Sequence, residues 1–257
     1  MIILQGVIFD IDGVLEYQGQ VYPGAMGVVS SLRERGIKLC FLTNSTLKSR
    51  ASCAGRLREH GFEVFDEEVI TASYATAEYL RQVKPRSVWV MLERRGLDEF
   101  KDFPQDEDNP EYLVIGDNRS RFDFETLNRA LRVLKNGARL VGMQDELIDS
   151  SMGQLELNVG SWVRMLEQAS GVQAVYIGKP YPYAFELATC TLGLAGDRVL
   201  VVGDRILTDI QGARAAGLRS ALVKTGEYRP GDLEGEIQPD FVLEDIRELL
   251  SLIREPG

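Results

Sequence analysis

The chain has 257 residues, 44% hydrophobic and 26% charged, which is enough apolar material for one large α/β domain or a core plus a smaller second domain. Its formal net charge of −10 repels nucleic-acid backbones and anionic membranes, and no apolar run approaches the roughly 18 residues needed to span a bilayer. Cys40, Cys53 and Cys190 are odd in number and scattered, which excludes a disulfide framework or a cysteine zinc site and points to a reducing cytoplasm.

The N-terminal run reaches Asp10 too soon for a leader peptide and reads as a buried strand over Ile2–Phe9. A helix is expected over Met26–Arg35, a strand over Lys38–Leu42 and a helix over Lys48–Glu59. Val88–Leu92 and Tyr112–Ile115 read as strands on either side of an acidic, proline-bearing loop from Asp102 to Pro110. Phe124–Lys135 then reads as a helix, Leu140–Met143 as a strand and Ser161–Gln168 as a helix. Strands at Ala174–Ile177, Val199–Val202 and Ser220–Val223 alternate with helices at Tyr183–Thr191, Thr208–Ala216 and Asp245–Leu252. Apolar runs without polar alternation suit parallel strands covered on both faces, so the fold class is α/β with a doubly wound parallel sheet.

Four of the expected strand ends carry chemistry. The first strand runs into Asp10-Ile11-Asp12-Gly13, two carboxylates on one tight turn. At ~4 Å and an effective dielectric near 20 they repel by about 4 kcal/mol, so burying them calls for a cation or a held proton. Gly13 can adopt backbone angles that turn main-chain N–H groups toward an anion. After Leu42 comes Thr43-Asn44-Ser45, either a helix cap or a phosphate ligand set. Gly178-Lys179-Pro180 follows the strand at Ala174–Ile177 and lacks the spacing of a P-loop. Gly203-Asp204 and, five residues beyond, Asp209 follow Val199–Val202, as carboxylates suited to a hard cation.

Taken in this order, the four patches resemble the motifs of the haloacid dehalogenase-like superfamily. The segment between Ser45 and Lys179 resembles the large α/β cap of its NagD or 4-nitrophenylphosphatase branch. Asn128–Gly137, Leu155–Ser170 and Lys224–Arg229 are similar to the phospholysine phosphatases within that branch. The resemblance implies a catalytic core at 1–79 and 174–257 and a cap at 80–173. It implies a phosphatase acting on small-molecule phosphomonoesters, with 4-nitrophenyl phosphate as a generic substrate. Asp10 would be the nucleophile that forms an aspartyl-phosphate and Asp12 the acid/base. Mg²⁺ would be held by the Asp10 carboxylate, the Asp12 main-chain carbonyl and Asp204, with Asp209 in support. Thr43, the Asn44 backbone N–H and Lys179 would bind the phosphoryl oxygens. Family resemblance allows a homodimer or a monomer.

An acid at position 12 favours phosphoryl transfer over dehalogenation. His60 is the sole histidine and stands at a helix end, which removes Ser–His, Cys–His and His-ligated zinc chemistry. The competing class is a silent module that binds Mg²⁺ and phosphate, but Asp10, Asp12 and Lys179 are all in place. In NagD relatives, the loop after the cap strand near Met143 carries a Thr-Asn-x-Asp-like signature. Here Gln144, Asp145 and Glu146 open a loop through Asp149 that has three acids and no base. It is expected to favour neutral or cationic leaving groups, unless these acids only face solvent.

Overall fold

Gly6 to Asp10 form the first strand, β1, and all five residues are buried, as an unalternated apolar run requires. The computed structural model describes residues 4–149 and 154–253, so Ile2 and Ile3 of the expected strand lie outside the described residues. After β1 come a small antiparallel hairpin, β2 (Glu16–Tyr17) and β3 (Gln20–Val21), then α1 (Ala25–Glu34), β4 (Lys38–Thr43), α2 (Arg50–Glu59) and β5 (Val69–Thr71). The middle of the chain holds α3 (Ala72–Val83), β6 (Val88–Met91), β7 (Tyr112–Ile115), α4 (Phe124–Lys135) and β8 (Arg139–Gly142). A hairpin of β9 (Ile148–Asp149) and β10 (Glu156–Leu157) precedes α5 (Val159–Ser170) and β11 (Ala174–Tyr176). The last third contains α6 (Pro182–Leu192), β12 (Val199–Gly203), α7 (Gln211–Ala215), β13 (Arg219–Val223), β14 (Phe241–Leu243) and the short α8 (Leu249–Leu252).

These elements divide into two units. The first comprises Met1–Thr43, Cys53–Ile70 and Lys179–Gly257, and the second Asn44–Ser52 and Thr71–Gly178. In the first, the sheet order is β14-β13-β12-β1-β4-β5. β1 is parallel to both β12 and β4. The chain builds outward from β1 on one side and returns to build outward on the other, so the switch point lies at β1. Ligands of open α/β sheets bind beyond the carboxyl ends of the strands at such a point. Alternate residues serve opposite faces: Val7 and Phe9 join a cluster with Leu32 of α1, Leu57 of α2 and Leu249 of α8. The Phe9 and Phe41 rings stack within it at 6.0 Å. Elsewhere in this unit α7 meets α6 so closely that a Cβ on Gly212 would stand 2.1 Å from the Phe185 ring.

The second unit is a four-stranded parallel sheet in the order β11-β8-β7-β6. Its helices begin on side-chain caps: Thr71 accepts from the Tyr74 N–H at 3.1 Å, and Asp123 from the Thr126 N–H at 2.7 Å. One expectation is corrected here. Ala174–Tyr176 pairs with β8 and belongs to this sheet, not to the core sheet. It is also an edge strand, with Val175 exposed, because an apolar run of three or four residues does not reveal which sheet it joins. The second unit takes in α3 and β11. Among the described residues, no helix is long and apolar enough to cross a membrane.

Candidate active site

Asp10, the last residue of β1, is only 8% exposed. Its Oδ1 accepts from the Ile11 N–H at 2.8 Å and lies 2.7 Å from Lys179 Nζ. Lys179 is itself buried and donates equally closely, at 2.7 Å, to Asp209 Oδ1. The other Asp209 oxygen accepts from the Arg205 N–H and the Thr208 hydroxyl, both at 3.2 Å. That second contact set is possible because Ile206–Ile210 is a wide π-type turn rather than the start of a regular helix. Here the structure differs from the expected helix at Thr208–Ala216.

Asp204 follows β12 and is 1% exposed. Its Oδ2 accepts from the Glu227 N–H at 2.7 Å, whereas its Oδ1 is buried with no hydrogen-bond partner among the described residues. One carboxylate oxygen from each of Asp10, Asp204 and Asp209 falls within 4.8 Å of the others. Three buried carboxylates thus face one ammonium. Burial pushes the Asp10 carboxyl well above its ordinary range, with the Lys179 charge opposing and the Asp209 and Asp204 charges adding to the rise. Asp204 is pushed up to about 7, by burial first and by the Asp209 charge second. Burial alone would lower Lys179, but the Asp10 and Asp209 charges and hydrogen bonds prevail and hold it well above its usual value. An excess of buried negative charge with an orphaned Asp204 oxygen fits a divalent metal bound through oxygen.

Gly13 and Gly226 make the close approach to Asp204. Both have positive φ, +93° and +61°, and a Cβ on either would lie 2.1 Å from Asp204 Oδ2. The Gly13 N–H itself donates to the Glu16 carbonyl at 2.7 Å. The Thr225 hydroxyl donates to the Gly13 carbonyl at 2.6 Å and ties the two turns together. Thr225 and Glu227 escaped the sequence reading as site residues, although Lys224–Arg229 had stood out as a stretch.

Asp12 is half exposed, and its Oδ2 lies 3.5 Å from the Thr43 hydroxyl at the end of β4. Asn44 follows directly in the chain but groups with the second unit, where its side-chain oxygen would sit 2.7 Å from a Cβ on Gly178. The buried Glu16 and the partly exposed Arg56 and His60, which were not singled out as site residues, form a group whose Arg56 lies 3.8 Å from Asp12. Glu16 pairs with Arg56 Nη1, and its Oε2 is 2.5 Å from His60 Nδ1.

In the second unit, Gln144 is buried and its amide is used at both ends. It donates to Asn158 Oδ1 and accepts from the Glu146 N–H, each at 2.7 Å. The loop has no base of its own sequence, yet Arg164 Nη2 lies 3.7 Å from Asp145 and Arg119 Nη2 lies 3.3 Å from Asp149. Two of the three acids are therefore answered by arginines from elsewhere in the chain.

Comparison with known proteins adds to this geometry. Residues 7–103 match the family model for haloacid dehalogenase-like hydrolases, and residues 176–249 match a related HAD-hydrolase-like model. The chain is 30% identical to the mouse phospholysine phosphohistidine inorganic pyrophosphate phosphatase over 97% of this chain and 94% of that one. It superposes on the 4-nitrophenylphosphatase of Thermotoga maritima with a TM-score of 0.91 and 28% identity, covering 98% of each chain. Against NagD from E. coli K-12 the TM-score is 0.89 at 26% identity, over 96% of this chain and 98% of that one.

Proposed function

For a chain that belongs to the haloacid dehalogenase-like hydrolases, in their NagD-like branch, and is thereby a phosphoric monoester hydrolase, we propose a Mg²⁺-dependent reaction through an aspartyl-phosphate on Asp10. The substrates are small phosphomonoesters, and the setting is a reducing cytoplasm, consistent with three scattered cysteines that form no disulfide among the described residues.

The Asp10 carboxylate attacks phosphorus, forming the Asp10–phosphorus bond as the bond to the leaving oxygen breaks, and Asp12 gives that oxygen a proton. Asp12 then takes a proton from a water, which attacks the same phosphorus and releases Asp10 and inorganic phosphate. Half exposure suits Asp12 to both tasks, because it must reach the leaving group and then solvent. Lys179, the Thr43 hydroxyl and the Asn44 N–H hold the phosphoryl oxygens, where charge shifts most in the transition state. Asp10, Asp204 and the Asp12 carbonyl would hold Mg²⁺, with Asp209 fixing Lys179 behind them. When bound, the metal neutralises phosphoryl and carboxylate charge that the −10 chain otherwise leaves unopposed. We assign the choice of leaving group to the second unit, through Gln144, Asp145 and Glu146.

The observation that carries this reading is the buried Asp10–Lys179–Asp209 chain beside the orphaned Asp204 oxygen. Hydrolysis of 4-nitrophenyl phosphate with Mg²⁺ and with excess chelator tests it. Activity is expected with the metal and its loss with the chelator; equal rates in both would remove the metal from the account.

A further inference from the structure

Glu16 is fully buried, in the turn that carries Asp12. Burying a carboxylate costs several kcal/mol unless it is paired. Here Oε2 meets His60 Nδ1, and Oε1 forms an ion pair with Arg56 Nη1 without hydrogen-bond geometry. Arg56 and His60 lie four residues apart at the end of α2, on one face, so that they converge on the same carboxylate. Such a triad is a poor device for stability alone, because well-packed apolar side chains of similar volume do as well or better.

Arg56 has more to give than Glu16 takes. Its Nε and Nη2 are buried with no hydrogen-bond partner among the described residues. Unpaired charged donors are costly, and each calls for an explanation. Asp12 Oδ1 lies 3.8 Å from Nη2, just outside hydrogen-bond reach. The Asp12 side chain is 51% exposed and has room to rotate, with its other oxygen 3.5 Å from the Thr43 hydroxyl. A small rotation brings Oδ1 onto the waiting guanidinium.

We propose that Arg56 is a positioning residue for Asp12, with Glu16 and His60 fixing the guanidinium that holds the Asp12 carboxylate in place during proton transfer. This rests on the reading of Asp12 as acid/base. Arg56 touches neither substrate nor phosphorus in this account; it acts by restricting where the Asp12 oxygens can be. Correct placement of a proton donor is worth most where the leaving group needs the proton most. An alkoxide needs it; 4-nitrophenolate largely does without.

The test compares wild type, Arg56→Lys and Asp12→Asn on 4-nitrophenyl phosphate and on glycerol phosphate, with Mg²⁺ present. A lysine keeps the charge opposite Glu16 but lacks the rigid planar fork that holds one nitrogen on Glu16 and a second toward Asp12. Arg56→Lys is expected to lower kcat/KM, which reports formation of the phosphoenzyme and not its hydrolysis, about threefold on the aryl ester and about thirtyfold on the alkyl ester. Equal losses of kcat/KM on the two esters overturn the proposal. Asp12→Asn separates the two levels: if it too shows no leaving-group dependence, the acid role of Asp12 fails. If Asp12→Asn shows the dependence and Arg56→Lys does not, only the role of Arg56 fails. Should thermal unfolding show Arg56→Lys to be poorly folded, the double variant Glu16→Gln/Arg56→Gln removes both charges together and must give the same split.

Discussion

The two parallel sheets both gather acidic side chains where their strands end, but they treat the charge differently. Beyond β1 and β12, Asp10, Asp204 and Asp209 are buried against a single ammonium, and one Asp204 oxygen has no hydrogen-bond partner among the described residues. Beyond β7 and β8, Asp117 is held by Arg119 at 3.0 Å, and the same arginine reaches Asp149 and Glu156. Gln144 in that region spends its amide within its own loop. In both places three carboxylates face one cation, but the Asp149 and Glu156 side chains keep 23% and 44% of their surface exposed, so water offsets the remaining charge there. A buried cluster with excess negative charge calls for a cation or a held proton, and the same imbalance suits it to bind a metal and, through the metal, phosphate.

The largest contrast is expected between Asp10 at the end of β1 and Asp117, two residues beyond β7. Asp10→Asn should reduce 4-nitrophenyl phosphate turnover by at least about 10⁴-fold while leaving the fold intact, because it removes the nucleophile. Asp117→Asn should change kcat by less than about threefold. Comparable losses in steady-state assays of the two variants would erase the distinction.

Lys179→Met comes next. It leaves Asp10 and Asp209 buried without their shared counter-charge, which should cost about 3–5 kcal/mol in chemical denaturation without Mg²⁺. It should also lower kcat/KM by about 10²-fold or more, since the ammonium contacts the phosphoryl group in ground and transition states. An unchanged kcat/KM would reduce Lys179 to a structural tie.

The charge imbalance also sets a pH dependence. Asp204 in the metal-free protein keeps its proton up to about 7, whereas the ordinary carboxyl value is 3.8. Because the folded value is raised, the metal-free protein loses stability as pH rises from about 4 to 7, where the unfolded chain has already released the proton. Mg²⁺ displaces that proton, so its stabilising shift in Tm should grow from pH 5.5 to pH 8. A Mg²⁺ shift that shrinks over this range would contradict the assignment of Asp204.

The smallest effect belongs to the second unit. The double change Asp145→Asn/Glu146→Gln should move the ratio of kcat/KM for phospholysine over a bisphosphate by only about three- to fivefold, in favour of the bisphosphate. The arginines that face Asp145 and Asp149 already offset part of the loop's charge. No movement of the ratio would leave the loop's acids as surface charge.

The positions of Asp10, Lys179, Asp204 and Asp209 were legible in the sequence because each closely follows an unalternated apolar run, and strand ends are where α/β sheets bind ligands. The parallel sheet was legible for the same reason. Sheet membership was not: Ala174–Tyr176 looks like a core strand by composition, and only its pairing with β8 places it. Gly13 was legible as a backbone requirement, but its close approach to the Asp204 carboxylate was not. The Glu16–Arg56–His60 group could not be foreseen, because about 40 residues separate its halves and nothing local marks a charge as buried.

Covalent trapping on Asp12→Asn tests the central claim most directly, because that variant should form the phosphoenzyme and hydrolyse it slowly. The protein is mixed with 4-nitrophenyl phosphate and Mg²⁺, quenched in acid, reduced with borohydride and mapped by peptide mass spectrometry. Reduction of an aspartyl-phosphate converts that residue to homoserine, and the account expects homoserine at position 10 alone. Homoserine at another aspartate, or none at position 10 while 4-nitrophenolate is still released, would contradict it.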